Sequence, residues 1–384
     1  MSCKSILGIA ALTCGPVLVF GAAGFILSDE TTVHLTGVAQ VRFDDNVNFE
    51  EKNKNSDTVF SLIPGIELDY NGGQTKGLLK VSEDFERYVD NSELHADLFS
   101  GVGELNFDSG KTKIDSRIGY HQMDQGSMTI RNVDQRVRHD LFDASVNGMW
   151  SASAKTSIGA GIMYDSTNYV GIRYADNRHV SLPVDVYYGV SPKVDVSVGY
   201  RYRTTTVNEI STDPRDYDST DHFFNVGARG EFTPKLKGQV RVGYGMRDFD
   251  HKDPLNPTAD RSTDQLSLSG ALTYVYSPKT SFDFAVSNDF DNSALGISQE
   301  VFAVRTGGKF EFTPQWSANA GLSYQNTKYA QSNREDDFFV GDAGVVYAMS
   351  ESVSFQASYI YRNNHSPEVP FNNNILSFGI SLRY

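Results

Sequence analysis

Eight histidines are spread through the chain: His34, His95, His121, His139, His179, His222, His251 and His365. A zinc hydrolase would set two of them as His-Glu-x-x-His on one helix face, and no such pair occurs. No Gly-x-Ser-x-Gly stretch offers a serine on a strained strand-to-helix turn. The only cysteines, Cys3 and Cys14, lie in the first apolar segment, so the rest of the chain has no thiolate, disulfide framework or cysteine metal site. The stretch "DFDHKDP" (248–254) lacks the spacing of a calcium loop and reads as solvated. These residue types point to no catalytic, cofactor-binding or metal site, and no enzyme is expected.

Charge is placed more systematically. "VDVSVGYRYR" puts Val194, Val196, Val198, Tyr200 and Tyr202 on one side and Asp195, Ser197, Gly199, Arg201 and Arg203 on the other. "VRVGYGMR" opposes Val240, Val242, Tyr244 and Met246 to Arg241, Gly243, Gly245 and Arg247. Successive strand residues point to opposite faces, so the arginines share the wet face. The same parity adds Arg117, Arg229, Glu231 and Arg305. The expected pore-lining set is Arg117, Asp195, Arg201, Arg203, Arg229, Glu231, Arg241, Arg247 and Arg305. Five of these arginines (Arg201, Arg203, Arg229, Arg241 and Arg247) fall on three neighbouring runs and would form a basic wall if in register. Facing acids across water, such a wall would sort solutes by charge. The plainer reading is a wet wall with internal ion pairs. Phe223 and Phe338 also fall inward and read as packing against a folded-in loop rather than as a sugar-stacking track.

Long strands must carry these side chains. Eighteen alternating runs, each about 10–14 residues long, exceed the ~5–6 of soluble strands and suit the ~9–11 of a tilted membrane strand. Short turn signals ("NGG" at 71, "DSGK" at 108, "SASAK" at 151, "SPK" at 191, "TPK" at 233, "SPK" at 277, "TPQ" at 313, "SES" at 350) recur roughly every forty residues, with two runs between them. Long polar stretches such as "DDNVNFEEKNKNSD" and "DFDHKDPLNPTADRST" alternate with these turns. A propeller repeats at a similar period but needs four short strands per blade. Aromatics crowd the short-turn ends (Tyr70, Phe107, Trp150, Tyr188, Phe232, Tyr276, Phe312, Trp316, Tyr347, Tyr384) and the long-loop ends (Tyr88, Tyr120, Tyr164, Tyr202, Tyr361), as two membrane interfaces would select. The fold expected is an all-β transmembrane antiparallel up-and-down barrel of about 18 strands, closed because lipid tolerates no open sheet edge. Glu83 shares the face of Leu79, Val81 and Phe85, and residues 94–107 fit either parity, so either a bulge or a register other than the one read from alternation is expected nearby.

Residues 1–23 pair Lys4 with an apolar core and end on the small residues Gly21–Ala23, the pattern of a cleaved secretory signal. Residues 24–384 then form one barrel domain. The formal net charge of −14 becomes −15 when Lys4 is lost, a poor balance for nucleic-acid binding.

"GVAQVRFDDNVNF", "SDTVFSLIPGIELDY" and "LLKVSEDFERYVDNSELHADLFSGVGELNF" resemble the outer-membrane β-barrel porin type 2 family, through Phe43–Val47, Ser56–Gly65 and Tyr88–Asp97. The resemblance implies a bacterial outer-membrane barrel, some relatives being associated with exopolysaccharide. The expected function is porin-like passage of small hydrophilic solutes. The alternatives are a barrel tied to polysaccharide export, or a structural or adhesion barrel plugged by loops such as 205–219 and 249–263. The expected partners are outer-membrane lipids and lipopolysaccharide, the assembly machinery reading the aromatic-ended C-terminal strand, and small solutes or polysaccharide; no cofactor is expected.

Overall fold

The structure, a computed structural model, describes residues 24–125, 137–171, 174–208, 218–251, 261–330 and 334–384. The segment read as a secretory signal lies outside the described residues, as do most of the 205–219 and 249–263 loops and part of the Asp-rich stretch.

The chain folds as strands β1 (Phe25–Ser28), β2 (Thr31–Asp44), β3 (Asp57–Gly72), β4 (Thr75–Tyr88), β5 (Ala96–Asp108) and β6 (Thr112–Gln125). They are followed by β7 (Val137–Ser151), β8 (Thr156–Tyr169), β9 (Asn177–Ser191), β10 (Val194–Val207), β11 (Ser219–Thr233), β12 (Leu236–Phe249) and β13 (Ser262–Ser277). The last six are β14 (Thr280–Asn292), β15 (Ser298–Glu311), β16 (Trp316–Tyr329), β17 (Glu335–Ala348), β18 (Val353–His365) and β19 (Phe371–Arg383). Each of β2 to β19 pairs antiparallel with its sequence neighbours, and β19 pairs with β2 from Ile375↔Asp44 to Arg383↔Thr36. Backbone bonds between Leu35 and Tyr384, 2.8 and 2.9 Å, extend that seam. Eighteen strands therefore close into a cylinder, as expected, and β1 is extra.

That extra strand comes from the apolar run Phe25–Leu27. It folds back on β2 (Phe25↔Val33, Ile26↔Thr32), and Phe25 packs edge-on to Tyr384 at 5.3 Å.

Exposure follows the alternation. Val196 and Val198 are 40% and 66% exposed, while Ser197 between them is 7% exposed. The outer face is thus the apolar one, which in water would be an untenable exposed surface and in a bilayer is the required one. Tyr200, Phe224, Tyr244 and Leu266 stand side by side across β10 to β13, one level of the outer ring of aromatic and apolar groups.

No bulge forms around Glu83. The β3–β4 partners run from Leu62↔Phe85 to Gly65↔Ser82 in one register, and Glu83 sits opposite Phe99 of β5. The ladder lacks only the rungs beside Pro64, which has no N–H to give. Parity in β5 is fixed by the same pairing, with Phe99, Leu105 and Phe107 outward.

Candidate functional site

One connection leaves the wall. Strands β13 and β14 pair only from Ser277↔Thr280 up to Leu268↔Asn288, whereas β14 and β15 stay paired up to Asn292↔Ser298. Above Asn288 the β14–β15 hairpin therefore parts from β13 and turns into the barrel. Phe290 and Gln299 are 2% and 1% exposed, and Ala294 at the tip is fully buried. The tip packs on Val137 of β7, with Tyr169 and Tyr174 alongside, and Leu295 and Ile297 pack on Ala175 and Val207. The Ala175 N–H donates to the Ala294 carbonyl at 2.8 Å. Since β7 is seven strands from β14 in a ring of eighteen, the hairpin spans most of the lumen.

Local chemistry shapes its turn. The Ser293 hydroxyl accepts from the N–H groups of Leu295 and Ile297, and Gly296 takes φ 78°, a left-handed value that a side chain would strain.

An ion cluster bolts the hairpin to the wall. Arg203 (β10), Asp221 (β11) and Arg247 (β12) stand in one row of the ladder. Asp221 accepts from both arginines at 2.7 Å, and the three side chains are 3%, 0% and 0% exposed. Arg203 then donates to the Phe290 carbonyl at 3.0 Å. Arg247 donates to the Asp291 carbonyl at 3.1 Å and the Ser298 hydroxyl at 2.8 Å. Two buried guanidinium groups are tolerated because a shared carboxylate and strand-end carbonyls meet their donors. Phe223 and Phe290 complete the packing, with Arg201 at 3.9 Å over Phe223 and Arg247 at 4.8 Å over Phe290.

Below this bolt the wall is wetter. Arg201 reaches Asp289 of the hairpin at 2.7 Å, and Arg229 reaches Asp195 at 3.0 Å while stacking 3.5 Å over Tyr187. Arg241 donates to Asp185 at 3.0 Å and to the Tyr187 hydroxyl at 2.7 Å. All three guanidinium side chains stay between 22% and 24% exposed. Gly199 makes this possible: a Cβ there would lie 2.0 Å from Asp185 Oδ1.

The structure thus brings Arg201, Arg203, Arg229, Arg241 and Arg247 together on β10 to β12, facing the lumen. Asp195 joins them as the partner of Arg229. Glu231 is separate, exposed near the β11–β12 turn and paired with Lys193. Arg117 stands on β6 between Glu104 and Asp143, and Arg305 on β15 with Asp342. Six to eight strands from β11 in the ring of eighteen, the lumen faces of β3 to β5 carry Glu67, Asp69, Asp84, Glu86 and Glu104 with Lys80. Arg42 pairs with Glu86 at 2.9 Å and Lys80 with Glu67 at 2.7 Å.

Sequence reasoning did not single out Asp221, Asp289, Phe290 or the hairpin. A signal existed: residues 292–299, "NSALGISQ", hold no charge and three aliphatic side chains, unlike the other long-loop connections. An outer connection of that composition has something to bury against.

The sequence of this barrel matches the family described as "Putative beta-barrel porin 2" over residues 35–384. The chain belongs to that porin family. The porin is an integral β-barrel of the bacterial outer membrane, and the resemblance carried by Phe43–Val47, Ser56–Gly65 and Tyr88–Asp97 holds across the barrel. No curated protein matches its sequence. Solved structures similar to the porin include OccK2 (OpdF) of Pseudomonas aeruginosa, at 10% identity over 94% of this chain and 99% of that one, TM-score 0.48. OpdL of Pseudomonas aeruginosa has 10% identity over 92% and 98%, TM-score 0.46. The siderophore receptor PirA of the same organism has 9% identity over 92% and 80%, TM-score 0.45.

Proposed function

We propose that this porin passes small hydrophilic solutes through a lumen narrowed by the β14–β15 hairpin, with charge deciding which solutes pass easily. The observation that carries this reading is the half-open state of Arg201, Arg229 and Arg241 directly below a hairpin bolted by Arg203 and Arg247. The basic wall on β10 to β12 and the acid-rich wall on β3 to β5 give a transverse field, so a solute with separated charges would be oriented as it crosses. Arg117, Asp195, Arg305 and, at the short-turn mouth, Glu231 line the remainder of the path. Ion pairing lowers the net field without removing it, because Arg201, Arg229 and Arg241 each keep an open edge.

Refolded protein in a planar bilayer tests this. A steady ohmic current is expected, and converting Arg201, Arg229 and Arg241 together to Gln shifts the reversal potential in a salt gradient toward cation selectivity. A silent bilayer would instead support a plugged structural or adhesion barrel. Loss of surface polysaccharide on gene deletion, with solute uptake intact, would support the export role. The same reading includes a cleaved leader at residues 1–23 and recognition of β19 with Tyr384 during assembly, testable by the N-terminal sequence of the exported protein and by Tyr384→Ala.

A further inference from the structure

Short turns lie at the end of the barrel opposite the long loops, the periplasmic end in such barrels. Five successive turns there each carry an exposed lysine, Lys111, Lys155, Lys193, Lys235 and Lys279, and Lys76 follows the turn before them. The three remaining turns, between β1 and β2, β15 and β16, and β17 and β18, carry Asp29 with Glu30, Gln315 and Glu351 instead. In a chain with 48 acids and 34 bases this arc stands against the overall balance.

Turn geometry does not demand these lysines. In one recurring turn a hydroxyl accepts the N–H two residues on: Ser153 from Lys155, Ser191 from Lys193, Thr233 from Lys235 and Ser277 from Lys279. Thr313 and Ser350 make the same bond to Gln315 and Ser352. The slot accepts any residue, and four of the six turns place lysine there.

Two of these lysines stand on the lipid side, whereas Lys76 has the lumen-facing parity of Lys80. Lys111 sits 5.8 Å over the ring of Trp150, and Lys235 sits 5.3 Å over Tyr276; both rings are outward and exposed. Lys76, Lys155 and Lys279 have no carboxylate partner among the described residues. Lys193, paired with Glu231, is the exception. Ammonium groups on flexible stems at the level of an aromatic ring reach the headgroup zone.

We propose that the arc from β5 to β14 is a binding surface for anionic phospholipid headgroups of the periplasmic leaflet, and that the β15–β18 sector is not. An acidic protein is the less favoured occupant, because the two resolved ring contacts put the ammonium groups on the membrane side of the rim.

The two tryptophans provide a built-in comparison: Trp150 lies under Lys111, and Trp316 follows Gln315. The Trp316→Phe variant reports Trp150 alone, and Trp150→Phe reports Trp316 alone. Each is refolded into phosphatidylcholine vesicles containing a minor fraction of phosphatidylglycerol or phosphatidylcholine brominated high on the acyl chain. Trp150 is expected to be quenched more by the brominated anionic lipid than by the brominated neutral one, and Trp316 equally by both. Lys111, Lys155, Lys235 and Lys279 changed together to Gln abolish the difference, whereas the matching Arg set keeps it. Each lysine removed lowers the local anionic-lipid enrichment by up to about fivefold, from ~1 kcal/mol per basic residue. Raised salt weakens the effect. Equal quenching of Trp150 by both lipids, or a preference shared by Trp316, overturns the proposal.

Discussion

Arg247→Met should unlatch the β14–β15 hairpin. The change keeps an unbranched apolar stem in a fully buried site but removes the donors to Asp221, to the Asp291 carbonyl and to the Ser298 hydroxyl. Hydrogen bonds from a charged donor contribute about 1.5–3 kcal/mol each, and breaking a buried ion pair costs about 3–5 kcal/mol. Arg203 still holds Asp221 and the Phe290 carbonyl, so the lower figure is the one to use. About 3 kcal/mol corresponds to a shift of roughly 10²-fold toward the released hairpin, at 1.4 kcal/mol per factor of ten. The readout is an Ala294→Cys reporter with Cys3 and Cys14 changed to Ser. Ala294 is fully buried, so a bulky membrane-impermeant thiol reagent should label it slowly in the parent and about 10²-fold faster beside Arg247→Met. Single-channel conductance should rise in parallel. If labelling and conductance both stay at parent values, the tip is held by its apolar contacts with Val137, Val207 and Ala175, and the ion cluster is not a bolt.

Replacing residues 292–298 by a two-residue Asn-Gly turn should enlarge the channel, seen as higher conductance and faster uptake of larger sugars in liposome swelling, with the barrel still heat-modifiable on gels. Gly199→Ala should force Asp185 away from Arg241, since its Cβ would sit 2.0 Å from Asp185 Oδ1. Its cost, by overpacking, is about 1–3 kcal/mol in urea-induced unfolding, with a shift toward anion selectivity as Arg241 loses the Asp185 carboxylate while keeping the Tyr187 hydroxyl. Asp221→Asn should be more damaging than Asp195→Asn, because Asp221 serves two fully buried guanidinium groups and Asp195 one that is partly open. Unfolding midpoints should separate the two by an amount consistent with about 2 kcal/mol or more.

Much of this protein is written locally. Two-residue alternation in "VDVSVGYRYR" or "VSFQASYIY" depends only on pleat geometry and on which solvent touches each face, so it survives without any knowledge of neighbours. The same locality made the short turns legible, since Ser191, Thr233 and Ser277 bond to N–H groups two residues on. Placement of the arginines on the wet face follows from the same parity. The doubtful region around Glu83 shows the limit: alternation alone could not decide whether an outward acid marks a bulge, and the neighbouring ladders decided that it does not.

The hairpin belongs to the other class. Arg201 meets Asp289 across 88 residues, Arg203 meets the Phe290 carbonyl across 87, and Ala175 meets Ala294. Such contacts depend on the closure of eighteen strands into one ring, which brings β7, β10, β12 and β14 around a common interior. The sequence by itself determined that each strand has a lipid side and a water side. Only the tertiary structure decided which carboxylate meets which arginine and which connection folds inward, because burial and ion pairing are properties of distances between strands rather than of the order of residues along one.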